Sequence, residues 1–272
     1  MANGKPAIIA PAVSAQPLRC RLAFLPLANF VMNARGALLL AVLSLPLADA
    51  CAEGAVVATY NTRPPYMVPG EGGAPSGLTG TPAAAAFQAA GIAVTWARLP
   101  TNRQLAMVKD PQARSCALGW FRTPERERYA KFTKPIYRDK DWVLLARADF
   151  SVGDDATLEG VLRRPGTRVL VKDSYSYGVH IDGLMARIKP ALSISTGAPV
   201  QMLQSISAGL ADFMYVSDDE ARYLLAHGGE HAKKLRVLRL RDMPRGSERH
   251  IMCGMGVPDE VITRLNQAIT FK

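Results

Sequence analysis

The 272-residue sequence is short of cysteine, histidine and aromatic side chains: four Cys, four His, and 7% Phe, Trp and Tyr together. Four cysteines are too few for a disulfide-dense scaffold that dispenses with an apolar core. His180, His227, His231 and His250 have neither metal-ligand spacing nor a partnered nucleophile, so they read as surface histidines and neither a metal nor a cofactor is expected. Acids are scarce too, with 23 Asp+Glu against 33 Lys+Arg, a formal net charge of +10. Such an excess could serve nucleic acid or an anionic surface. Yet Arg63, Arg98, Arg147, Lys189 and Arg222 are scattered, and no aromatic-interleaved basic stripe accompanies them. They read as solvated surface, and no nucleic-acid partner is expected.

Long apolar runs are also missing. The longest, GALLLAVLSLPLA at residues 36–48, is too short to span a bilayer with confidence. Arg35 precedes it and small residues follow it, the pattern of a secretory signal with a small-x-small cleavage site at Ala50-Cys51-Ala52. Met32 opens a compact signal by itself, so residues 1–31 read as an over-extension and residues 1–52 as the removed segment. A lipoprotein acylated on Cys51 fits less well, because Asp49 suits that recognition pattern poorly. Without its four basic residues and one acid, the exported part carries a formal charge of +7. Export places it in an oxidising compartment, the periplasm. Cys116 and Cys253, the two cysteines well inside the mature chain, suit either a bridge or two buried thiols.

What is present is a chain 49% hydrophobic and 21% charged, alternating short strands with helices of about ten residues, which argues for parallel-sheet α/β units. Strands are expected near 55–60, 92–97, 116–121, 136–147, 168–172, 192–196, 211–216, 235–240 and 250–257. Pro82, Pro199 and Pro258 each start a helix at a position where the missing N–H costs nothing. Ile181, Leu184, Met185 and Ile188 share one helical face, as do Val200, Leu203, Ile206 and Leu210.

In such folds ligands gather where strands end and helices begin. Four junctions carry suitable groups: Tyr60 to Tyr66, Gly119 to Arg126, Ser174-Tyr175-Ser176, and Ser217-Asp218-Asp219. Arg126 can fork a carboxylate, Asp218 can hold an ammonium, and Tyr60, Tyr66, Trp120 or Phe121 can cover an apolar body. Each has a bland counterpart. Arg126 can pair with a neighbouring glutamate, and Ser217-x-x-Glu220 is a capping box that explains itself.

The segment FRTPERERYAKFTKPIY, with Thr123-x-x-Arg126 followed by Phe132-Thr133 and Tyr137, resembles the extracellular solute-binding proteins of family 3, the receptors of polar amino-acid ABC importers. The resemblance runs from Ala55 to Ile269. It implies an α/β, two-lobed periplasmic-binding-protein fold of type II, with a ligand cleft between lobes joined by two hinge crossings near Trp142 to Ala146 and Leu240 to Ser247. Lobe 1 would hold residues 53–144 and 246–272, and lobe 2 residues 145–245. Arg126 would grip the ligand carboxylate, Ser174-Tyr175-Ser176 would replace the family's Gly-Thr-Thr turn, and an acid near Ser217 to Asp219 would hold the amino group. The fold also sets Cys116 beside Cys253. The implied partners are a small carboxylate-bearing ligand and an inner-membrane ABC permease, with the receptor a monomer.

Three departures stand out. Phe121 occupies a position where amino-acid receptors present a hydroxyl, Arg122 adds a second cation beside Arg126, and Tyr175 replaces a threonine. Two rivals remain. One is an enzyme resembling cyclohexadienyl dehydratases, with Glu71, Asp173 or Asp218 as acid or base; the other is a sensory domain working through a separate partner.

Overall fold

The computed structural model describes residues 54–271. The expected export signal, the Met32 start and Cys51 lie outside the described residues. The first lobe opens with β1 (Val56–Tyr60), the short strands β2 (Val68–Pro69) and β3 (Pro75–Ser76), α1 (Gly80–Ala89), β4 (Val94–Arg98) and α2 (Thr101–Lys109). It continues through β5 (Ser115–Trp120), a single turn α3 (Pro124–Glu127) and β6 (Ala130–Arg138). The second lobe holds β7 (Trp142–Arg147), α4 (Leu158–Leu162), β8 (Arg168–Lys172), α5 (Val179–Ile188), β9 (Ala191–Ser195) and α6 (Pro199–Ser207). It ends with β10 (Phe213–Ser217), α7 (Asp218–His227), α8 (Gly229–Ala232) and β11 (Leu235–Leu238), after which β12 (Glu248–Gly254) and α9 (Asp259–Ala268) return to the first.

Each lobe is built on a five-stranded sheet among the described residues, ordered β4-β1-β5-β12-β6 and β11-β7-β10-β8-β9. The purely parallel reading needs correction. β12 runs antiparallel to both β5 and β6, and β7 antiparallel to both β10 and β11. The strands by which the chain enters each lobe from the other, β7 and β12, run against the direction of the rest of their sheets.

Side-chain alternation explains why both faces of the second sheet are covered. Trp142, Leu144 and Ala146 of β7 join Val169, Val171, Phe213 and Ile181 on one face, while Val143 and Leu145 join Leu170, Met214, Leu203 and Leu224 on the other. Burying a Leu or Val side chain of this kind contributes about 1.5–3 kcal/mol, so neither face tolerates a register slip. The α6 face turns out to be Met202, Leu203 and Ile206; Val200 and Leu210, expected to share it, are exposed.

The first crossing occupies residues 139–141, ahead of the expected Trp142 to Ala146, because β7 is already a buried central strand at Trp142. The two crossings hydrogen-bond through Asp139 N to Ser247 O (3.0 Å) and Trp142 N to Pro244 O (3.2 Å). They lie so close that a Cβ on Gly246 would sit 1.8 Å from the Asp139 carbonyl oxygen. Only glycine fits there.

Cys116 and Cys253 face each other across the β5–β12 pair and are joined by a disulfide, with 137 residues of sequence separation. The bond closes a loop that includes the whole second lobe. The chain-entropy relation gives about 5 kcal/mol for such a loop, before any native-state strain is subtracted. Replacing both cysteines by serine is expected to lower the unfolding free energy by roughly 2–5 kcal/mol in chemical denaturation. Alkylation of unreduced, denatured protein should add no mass at these two positions.

Candidate ligand-binding site

Between the lobes lies a small cavity of about 50 Å³. Its walls are built where β5 ends. Gly119 has φ +73°, and a Cβ there would meet the Met67 methyl at 2.9 Å, so the chain can turn here only as glycine. That turn presents Trp120 and Phe121 and leads into α3, where Thr123 caps the chain by accepting from Arg126 N (3.3 Å) and Pro124 takes the first helical position. Arg126 thereby points into the cavity rather than to solvent.

Of the ten residues singled out from sequence, Gly119, Trp120, Phe121, Arg126, Tyr175 and Ser176 line this cavity. Four do not. Tyr60 is buried in the first lobe and donates to the Gly73 carbonyl (2.8 Å). Tyr66 is buried against Arg249, its hydroxyl bonded to Ser217 Oγ. Ser174 takes a left-handed backbone (φ 59°) behind the turn. Asp218, expected to hold an ammonium, is clamped instead by Arg222 (2.5 Å) and Arg239. Burial works against its ionisation, but the two arginines outweigh that and hold it below the usual carboxylate range.

Arg122 likewise contributes nothing to the cavity: it pairs with Glu127 (2.5 Å) on the surface. The acids considered for catalysis are also elsewhere. Asp173 accepts from Asn102 (2.9 Å) beside a neighbouring cavity, and Glu71 is exposed in the β2–β3 loop.

Several wall residues carried no clear sequence signal. Arg63 lies in the proline-stiffened loop after β1, and its guanidinium is held bidentately by Glu220 of α7 at 2.7 and 2.6 Å. The Ser217–Glu220 box is therefore only half formed. Ser217 Oγ accepts from Glu220 N (3.2 Å), while the glutamate side chain reaches across to the other lobe. Arg249 of β12 is held by Asp139 at 2.6 and 2.7 Å and stacks over Tyr66 and Phe121. Arg63 reads in sequence as one of the scattered solvated basic residues, which its burial overturns, and nothing beside Arg249 marks it out; only the fold reveals their acids.

The three guanidiniums differ in balance. Burial alone would lower each. For Arg63 the Glu220 carboxylate outweighs it, and for Arg249 Asp139 does, so both end above their ordinary value. For Arg126 burial wins, only partly offset by Tyr129, Glu125 and Asp182, and the group is lowered. Among the described residues Arg126 forms no ion pair; it donates to the Phe121 carbonyl (2.9 Å) and lies over the Trp120 ring, 4.7 Å from its centroid. A guanidinium has five N–H donors. Arg126 retains donors for an anion.

A profile of the bacterial extracellular solute-binding proteins, family 3, matches residues 55–248. The chain belongs to that family. Among curated proteins, no sequence is significantly similar. Among solved structures, an ancestral arginine-binding protein bound to arginine is similar at TM-score 0.63 and 16% identity, over 79% of this chain and 90% of that one. A histidine kinase sensor domain with similarity to periplasmic binding proteins matches at TM-score 0.63 and 19% identity, over 79% and 88%. A structure from glutathione import via GshT and the cystine ABC importer TcyBC of Streptococcus mutans matches at 0.64 and 13%, over 79% and 88%. At these identities the likeness establishes the type II fold. No described helix is long and apolar enough to cross a membrane.

The lobes are also tied across the cleft by Asn61 to the Tyr175 hydroxyl (3.0 Å) and by Tyr137 to Asp219 (2.7 Å), beside the Arg63–Glu220 pair. Glu220→Ala strands the buried Arg63 charge, a loss of roughly 3–5 kcal/mol to the joined arrangement. Parting the lobes returns that charge to water. The expected result is therefore a larger radius of gyration by small-angle scattering, with both lobes still folded by circular dichroism.

Proposed function

We propose that this protein is a periplasmic receptor that captures a small carboxylate-bearing solute between its lobes by hinge closure and presents it to an ABC permease without altering it. The observation that carries this reading is Arg126: a cation buried in the wall of the cavity, without an ion-pair partner among the described residues and with donors to spare. A carboxylate supplies the missing charge and fits the guanidinium fork bidentately. Trp120 and Phe121 then cover the ligand's apolar part, and Ser176 and Tyr175 approach it from the opposite lobe. Capture of this kind biases the lobes toward closure because the anion touches both at once.

Sensing is a second reading, favoured by the likeness to a histidine kinase sensor domain. It uses the same capture step and differs in what reads the closed lobes. Uptake of a labelled ligand should fall in cells lacking the protein if it delivers solute to a permease, and should be unchanged if it signals.

Arg126→Ala is expected to weaken carboxylate binding by about 2–5 kcal/mol, effectively abolishing it at micromolar concentrations. Arg126→Lys should also weaken binding, because a point charge replaces the fork. Isothermal titration calorimetry measures both, and unchanged affinity in Arg126→Ala rules out the carboxylate role.

A further inference from the structure

We infer that the ligand is a small organic acid with no ammonium group, such as a 2-hydroxy or 2-oxo acid, rather than an α-amino acid. This rests on the carboxylate role of Arg126 and extends it to the rest of the ligand. An α-ammonium needs a carboxylate, or several free carbonyls, within hydrogen-bond reach once it leaves water. None of the side chains lining the cavity is acidic. Of the five acids around it, Glu125 is exposed on α3 and does not line the cavity, and the other four are engaged elsewhere. Glu220 is held by Arg63, Asp139 by Arg249, and Asp218 by Arg222 and Arg239. Asp182 accepts from Ser176 Oγ (2.5 Å) and Tyr177 N (2.8 Å) behind the turn.

The backbone carbonyls at the end of β5 already accept from arginines, which leaves each a single lone pair beside a cation. The Gly119 carbonyl accepts from Arg249 (3.0 Å) and the Phe121 carbonyl from Arg126 (2.9 Å). The Phe121 side chain offers no acceptor. What remains for the ligand's second polar group is neutral: the Thr101 hydroxyl, the Asn61 amide with one N–H already given to Tyr175, and Thr79 Oγ1 as an acceptor, since its proton goes to the Tyr66 carbonyl. Ser176 Oγ is committed to Asp182 and Gly178 N. A ligand hydroxyl can donate to Thr79 Oγ1 or the Asn61 carbonyl, and a ligand carbonyl can accept from the second Asn61 N–H or from Thr101. An ammonium placed there would find no carboxylate of its own, because Glu220 and Asp139 are already held by Arg63 and Arg249 and the ligand carboxylate is taken by Arg126. Two positive charges close together repel strongly in a poorly solvated site.

The test is calorimetry on the native protein with matched sets sharing one side chain, from alanine, lactate and pyruvate to phenylalanine, phenyllactate and phenylpyruvate. The corresponding amines, which lack the carboxylate, complete each set. The expected result is that, in the set that binds best, the hydroxy or oxo acid binds at least about tenfold more tightly than the amino acid. Arg126→Ala should abolish that binding. An amino acid that binds as tightly as its oxo or hydroxy counterpart, or more tightly, overturns this inference while leaving the carboxylate reading intact. Amines that bind without carboxylates overturn both. Absence of binding by every member up to about 10 mM also overturns the inference, since that ceiling corresponds to less than 3 kcal/mol of affinity.

Discussion

Three guanidiniums surround one small cavity, and only two carboxylates answer them. This imbalance governs the site and much of the lobe arrangement. Arg63 and Arg249 are tolerated in the interior because Glu220 and Asp139 each grip them with two hydrogen bonds. Those pairs use up acids that would otherwise be open to a solute. Arg126 is left with neutral partners and an aromatic face. An unpaired buried charge is costly unless something supplies the counter-charge, and in a cleft between two movable lobes that something can be the ligand. The same arithmetic argues against a ligand bringing a positive charge of its own.

The pairs also connect the site to the fold. Arg63 and Glu220 belong to different lobes, so their bond exists only when the lobes meet. Asp139 stands at the first crossing, so its grip on Arg249 anchors that crossing to β12. The Cys116–Cys253 bond fastens β12 to β5, the strand that delivers Gly119, Trp120 and Phe121. The returning strand is thereby held at three places, by a covalent bond, a buried ion pair and the backbone ladder. The proposed closure would turn on the crossings, which Gly246 lets approach each other closely.

Much of this was legible in the residues, for identifiable reasons. The strand-to-helix rhythm, the Pro199 start of α6 and the Thr123-Pro124 cap report local backbone preferences, which act within a few residues, whereas α1 begins two residues ahead of Pro82 and Pro258 only precedes α9. Gly119, Trp120, Phe121 and Arg126 could be read for that reason, and all four line the cavity. Long-range pairing could not. Asp218 heads a helix as a ligand acid would, but Arg222 and Arg239 claim it, and nothing local distinguishes a claimed acid from a free one. Tyr60 and Tyr66 show the same limit: an aromatic at a strand end faces core or cleft according to which helix covers it. Arg249 gave no signal at all, since its importance comes from Asp139 across the sheet. The antiparallel strands escaped the α/β reading because a strand's sequence does not record its direction.

The central claim is that Arg126 alone, of the three cavity arginines, is available to an anion. Selective ¹⁵N labelling of arginine side chains makes each guanidinium separately observable by NMR. On titration with a bound carboxylate, the account predicts that the Arg126 Nε–H resonance shifts strongly while those of Arg63 and Arg249, already held by their acids, move little. A ligand that binds while the Arg126 signal stays in place, or that shifts Arg63 or Arg249 instead, contradicts it.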